Sequence, residues 1–165
     1  MSDPNHKSFG EKTGLNSVLG VSPSTRDFVT EAAIGDMFEI QSSQLALRQA
    51  TPDLRGFAQQ MIDDHTRTSG ELKAMLRGPD ETSSPPATLD DKHQKLLDEL
   101  RDKSAAQFDE RYIKDQVSAH KEAVSLFERY ADSGDNMQLK DWAARTVPTL
   151  RSHLKMAEDL KDRRS

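Results

Sequence analysis

Four stretches of the chain, each roughly 25 residues long, repeat apolar side chains at α-helical spacing. Each of these stripes is interrupted by one group that normally stays in water: Glu39, His65, His120 or His153. A chain with this pattern has few options. The stripes must pack against one another to bury their apolar faces, and packing carries the four polar groups inside. Buried there, each is costly unless it is paired or binds a cation.

The spacing predicts a first long helix over about 23–50, opened by Ser22 as cap with Pro23 at the first helical position. Phe28, Ala32, Phe38, Ser42, Leu45 and Ala46 share its inner face, with Gly35 admitting a close helix approach. Thr51-Pro52 repeats the cap signal, and a second helix over about 52–77 carries Leu54, Phe57, Ala58, Met61 and Leu72 around His65. The almost absent connection makes these two helices an antiparallel hairpin. Residues 78–88 read as a loop. A short helix over about 89–102 follows, with Thr88 and Asp91 as a capping box and His93 on its apolar face. A third long helix begins after Ser104 and runs to about 132, with His120 among Tyr112, Gln116, Phe127 and Tyr130. A fourth over about 136–161, capped by Asp135, places His153 among Trp142, Leu150 and Leu154; Pro148 inside it should kink it. The result is an all-α, ferritin-like four-helix bundle whose long crossover carries a short extra helix. The domain spans 23–161, behind a polar, flexible arm over 1–22.

Composition narrows the chemistry. The chain has no cysteine, so thiolate metal sites, disulfides and iron–sulfur clusters are excluded and any metal must take N and O ligands. The net charge of −5, with basic residues scattered among acidic ones, argues against a nucleic-acid partner. No apolar run approaches about 18 residues, so no transmembrane segment is expected. Met1 to Lys12 lacks the apolar core of a signal peptide.

Taken singly, each histidine reads as a hydrogen-bonded core residue, with Thr68, Thr146, Tyr112 and Gln116 as available partners. Taken together they suggest a site, because chain reversal within each hairpin brings the helix midpoints to one level. His65, His120 and His153 with the carboxylate of Glu39 make a shell for a divalent metal, zinc first and manganese or iron as alternatives. His93 is a further candidate imidazole; its plainer reading is packing where the crossover covers the bundle. A di-iron centre is disfavoured, since it needs carboxylates three residues before its histidines, and those positions hold Ile62, Val117 and Leu150. Asp63 and Asp64 read as a solvated flank, with Asp64 able to orient a neighbour. The competing interpretation is a metal-free structural or stress-related interaction module whose histidines form a buried hydrogen-bond network.

The runs Phe28-Val29…Ala32-Ala33…Glu39-Ile40 and Phe57-Ala58-Gln59-Gln60-Met61-Ile62-Asp63-Asp64-His65-Thr66 resemble those of one family, as do Phe108-Asp109…Tyr112…Gln116-Val117…His120 and Ala143…Pro148-Thr149-Leu150…His153-Leu154. It is the domain-of-unknown-function family 4142, bacterial ferritin-like exported proteins. The resemblance covers about 24–160. It implies a ferritin-like bundle with His65, His93, His120 and His153 at the family's histidine positions. It also implies a periplasmic location after removal of a signal peptide; the polar start keeps a cytoplasmic location as the alternative. No reaction and no oligomeric state follow from it.

Overall fold

The computed structural model describes residues 19–77 and 84–165. The expected arm over 1–22 and loop over 78–88 thus fall largely outside the described residues. Among the described residues five helices follow in order: α1 (Thr25–Gln49), α2 (Pro52–Met75), α3 (Asp91–Arg101), α4 (Ala105–Ser133) and α5 (Met137–Arg163). α1 packs along α2 and α4 along α5, with α1 against α4 and α2 against α5 closing the bundle. Phe28 near the start of α1 stacks on Tyr130 near the end of α4, while Ser43 near the end of α1 bonds Tyr112 near the start of α4. These two helices are therefore antiparallel. The connection from α2 to α4 must travel the length of the bundle, and α3 lies within it against α1 and α4.

The helix starts sit where a side-chain oxygen can reach a free N–H, and this moves three of the expected caps. Ser24, not Ser22, caps α1, its Oγ accepting from Asp27 N at 3.1 Å. Asp90, not Thr88, caps α3, accepting from His93 N at 2.9 Å. Asn136, not Asp135, caps α5, accepting from Leu139 N at 3.0 Å. Pro52 does begin α2, but the hydroxyl of Thr51 makes no cap bond; it turns to Asp53 and Asp109. Pro148 lies inside α5 without ending it. A Cβ at Gly35 would meet nothing within 4 Å. No neighbouring helix crowds that position, so the glycine is not there for close approach.

Two apolar clusters fill the bundle. One joins Phe28, Leu72, Phe127, Tyr130 and Trp142; the other joins Phe38, Leu54, Met61, Phe108 and Tyr112. Between them lies a layer of buried polar side chains: Asp36, Glu39 and Ser42 from α1, His65 and Thr68 from α2, Gln116 and His120 from α4, Thr146 and His153 from α5. The four expected polar interruptions thus share one level.

Candidate metal centre

His65, His120 and His153 stand on α2, α4 and α5 and face one another across the bundle axis. Their ring centroids form a nearly equilateral triangle, with separations of 5.5, 5.3 and 5.3 Å. One nitrogen from each ring lies within 4.8 Å of the others. His120 is wholly buried, His153 is 1% exposed and His65 3%.

Which nitrogen faces inward follows from the bonds on the far side of each ring. His65 Nδ1 lies 2.8 Å from Asp36 Oδ1, His120 Nδ1 lies 2.8 Å from the carbonyl oxygen of Gln116, and His153 Nε2 lies 2.7 Å from Asp64 Oδ2. A carbonyl and a carboxylate only accept, so each of these ring nitrogens carries the hydrogen and donates it. The remaining nitrogens, Nε2 of His65, Nε2 of His120 and Nδ1 of His153, are then left with lone pairs. His65 Nε2 and His120 Nε2 approach to 3.3 Å. His153 Nδ1 is buried without a hydrogen-bond partner. Two nitrogens bound tetrahedrally to zinc at about 2.0–2.1 Å stand about 3.3–3.4 Å apart. The observed separation matches, and an orphaned imidazole lone pair is the group a cation would satisfy. The residues fit a metal.

The anchors are the part that sequence reading largely missed. Asp36 is 6% exposed and also accepts from Thr68 Oγ1 at 2.9 Å. Its only sequence signal is spacing: it lies seven residues after Val29 and seven before Ser43, on the buried side of α1. Asp64, expected on a solvated flank, has its side chain 22% exposed and fixes His153, whereas Asp63 is exposed. Gln116 was anticipated as a polar partner and serves through its backbone carbonyl, while its side-chain amide donates to Ser42 Oγ at 3.2 Å.

Two other candidates lie apart from the three inward nitrogens. Glu39 Oε1 is 3.8 Å from His120 Nδ1, the edge that faces Gln116. Both its carboxylate oxygens are buried without a hydrogen-bond partner. His93 Nδ1 bonds Asp90 Oδ1 at 2.6 Å on its own helix, and its ring meets Phe38 edge-on at 5.4 Å.

Burial and mutual repulsion set the proton affinities. Burial, with His65 adding to it, drives His120 down to about 3, and burial also lowers His153 despite its bond to Asp64. Burial alone would lower His65 too, but Asp36, Glu39 and Asp64 outweigh it and raise the ring. Burial raises Asp36 despite its bond to His65 and raises Glu39 to about 7. These shifts favour neutral rings at His120 and His153, ready to act as ligands, whereas Asp36 draws the His65 ring the other way.

A family model described as Domain of unknown function (DUF4142) matches residues 10–160. Among solved structures, one described as CopM in the Cu(II)-bound form aligns with a TM-score of 0.73, covering 88% of this chain and 100% of that one at 17% identity. Such a likeness bears on the fold, and the neighbour is, like this chain, a helical bundle. No curated protein matches.

Proposed function

The chain belongs to the family described as Domain of unknown function (DUF4142), and within that bundle we propose that His65, His120 and His153 hold a single divalent transition metal. The observation that carries this is the orientation of the three rings: each gives its outer N–H to an acceptor and points a lone pair at a common centre. Ring N–H donation to a carboxylate or backbone carbonyl is the usual support of a metal-bound imidazole. Glu39 and His93 are left outside the proposed ligand set; Glu39 instead contributes buried negative charge beside His120. Three imidazoles without a thiolate suit zinc, copper, iron or nickel better than magnesium or calcium. Zinc is the first choice and takes three such ligands with a fourth position open. The fold neighbour is described in a Cu(II)-bound form, which places copper beside zinc in any test, together with manganese and iron. When bound, the metal would supply a Lewis-acidic centre. The chain's own residues orient the ligands and surround them with apolar packing. Residence in the bacterial periplasm, which the family resemblance implies, belongs to the same reading. Among the described residues no helix is long and apolar enough to cross a membrane.

Elemental analysis of purified protein and titration of the stripped protein with Zn(II), Cu(II), Mn(II) and Fe(II) test this. One equivalent should bind, and His120→Ala with His153→Ala should abolish it. Protein that takes up none of these metals, or variants that bind as well as the parent, would sink the assignment.

One observation favours a metal-free network. At 3.3 Å a protonated His65 donates Nε2–H to the neutral His120 Nε2, which the opposed shifts of the two rings allow. This arrangement leaves His153 Nδ1 unsatisfied. It also requires a melting temperature indifferent to chelator and to added metal, so the two readings separate in one experiment.

A further inference from the structure

A groove of about 520 Å³ runs between α2 and α5, beside the histidine layer. That volume lies within the range of small-molecule sites, about 300–1,000 Å³. Its lining is asymmetric in charge. Arg67 enters from α2 and Arg145 from α5, against one carboxylate, Glu71. Glu71 Oε2 is already engaged, accepting from Trp142 Nε1 at 2.8 Å. Arg145 has no ion-pair partner among the described residues, and Arg67 reaches Asp64 only at 3.4 Å with its side chain 57% exposed. On a chain of net charge −5, two under-used guanidinium groups facing one groove form a local exception. Arginine presents a planar fork of donors matched to carboxylate and phosphate oxygens. Beside them Ala74, Met75 and Trp142 add apolar atoms to the lining.

The groove also lies close to the histidine layer along the bundle axis. Thr68 lies three residues after His65 on α2, and Thr149 four residues before His153 on α5; both line the groove. At about 1.5 Å rise per residue they stand about 4.5 and about 6 Å along their helices from those histidines. Arg67 contacts Asp64, and Asp64 holds His153.

We propose that the α2–α5 groove binds a small organic oxyanion, its phosphate or carboxylate held by Arg67 and Arg145 and its apolar body lying against Trp142 and Met75. Binding stands on the groove alone. Only its bearing on the centre, as an antechamber for a ligand approaching the metal, rests on the reading in the previous subsection.

The chain's single tryptophan lines this groove, so its fluorescence reports occupancy. Full-length protein held in chelator is titrated with phenyl phosphate, inorganic phosphate and phenol. Phenyl phosphate should give a saturable change and inorganic phosphate should compete with it, while phenol should do neither. Arg67→Gln and Arg145→Gln, both exposed and tested for fold by circular dichroism, should each weaken phenyl phosphate by roughly tenfold through loss of charge-assisted hydrogen bonds. No saturable change, an equal response to phenol, or unaltered affinity in both variants overturns the proposal. Because metal is absent throughout, a negative result here leaves the metal centre untouched, and failure to bind metal leaves this result standing.

Discussion

Glu39 and His120 face each other in the buried layer and respond to pH in opposite senses. Burial raises Glu39 from its ordinary 4.5 to about 7. Between those values the folded state keeps a proton that the unfolded state has lost, so its contribution is present below 4.5 and lost as pH rises through about 7. The loss amounts to about 3 kcal/mol. His120 is depressed from 6.5 to about 3, so its contribution is present above 6.5 and lost as pH falls towards about 3. In metal-free protein, Glu39→Gln should therefore gain on the parent by about 2–3 kcal/mol more at pH 8 than at pH 5. Urea unfolding in chelator at both values measures this, and an equal gap at the two would refute it. Asp64 makes the second residue-scale case. Asp64→Ala removes the acceptor that fixes His153 Nε2–H and should weaken metal binding by about 10–100-fold. Asp64→Asn, which keeps an acceptor oxygen, should recover most of it. Competition titration with a chromophoric chelator reads both; identical affinities for Asp64→Ala and the parent would remove Asp64 from the site.

Among the elements, a glycine inside α1 and the glycine that caps α4 behave differently. Gly35 lies inside α1 with open space where a Cβ would go. Gly35→Ala should stabilise the protein by up to about 1 kcal/mol, the difference in helix propensity. Gly134 ends α4, and a Cβ there would sit 2.6 Å from Tyr130 Cε1 and 2.6 Å from the Tyr130 carbonyl oxygen. The Tyr130 ring is not free to yield. It stacks on Phe28 at 4.1 Å, its hydroxyl lies 2.7 Å from Thr25 Oγ1, and it accepts from Asn136 N at 3.2 Å. Gly134→Ala should cost about 1–3 kcal/mol, as overpacking does. Thermal melts of the two variants should move in opposite directions; a shift of the same sign in both would contradict this account of α1 and α4.

For the molecule as a whole, the proposed ligands come from three helices joined by a crossover as long as the bundle. No two neighbouring stretches of sequence make the centre, so metal should bind the assembled bundle and not the unfolded chain. Stability should then rise with free metal, by about 2.7 kcal/mol at a hundredfold excess over Kd. For a domain of this size that is a rise of roughly 5–10 °C in melting temperature. Differential scanning calorimetry with and without metal measures it. His120→Ala should show no rise, and an equal rise in that variant would mean the metal binds elsewhere.

Helical periodicity, the cap-and-proline signals and the absence of long connections within each hairpin were local properties, so the all-α bundle and its crossover could be read directly from the sequence. The inward placement of His65, His120, His153 and Glu39 was legible for the same reason: a side chain three or four residues from apolar neighbours shares their face of a helix. What tertiary structure alone decided is the direction of each ring. Asp36 meets His65 across 29 residues and Asp64 meets His153 across 89. Contacts between side chains so far apart in the chain depend on helix rotation and height, which no local spacing encodes. Those contacts choose the nitrogen that faces inward on His65 and His153. They turn two of the buried polar interruptions so that a ring nitrogen of each faces the third.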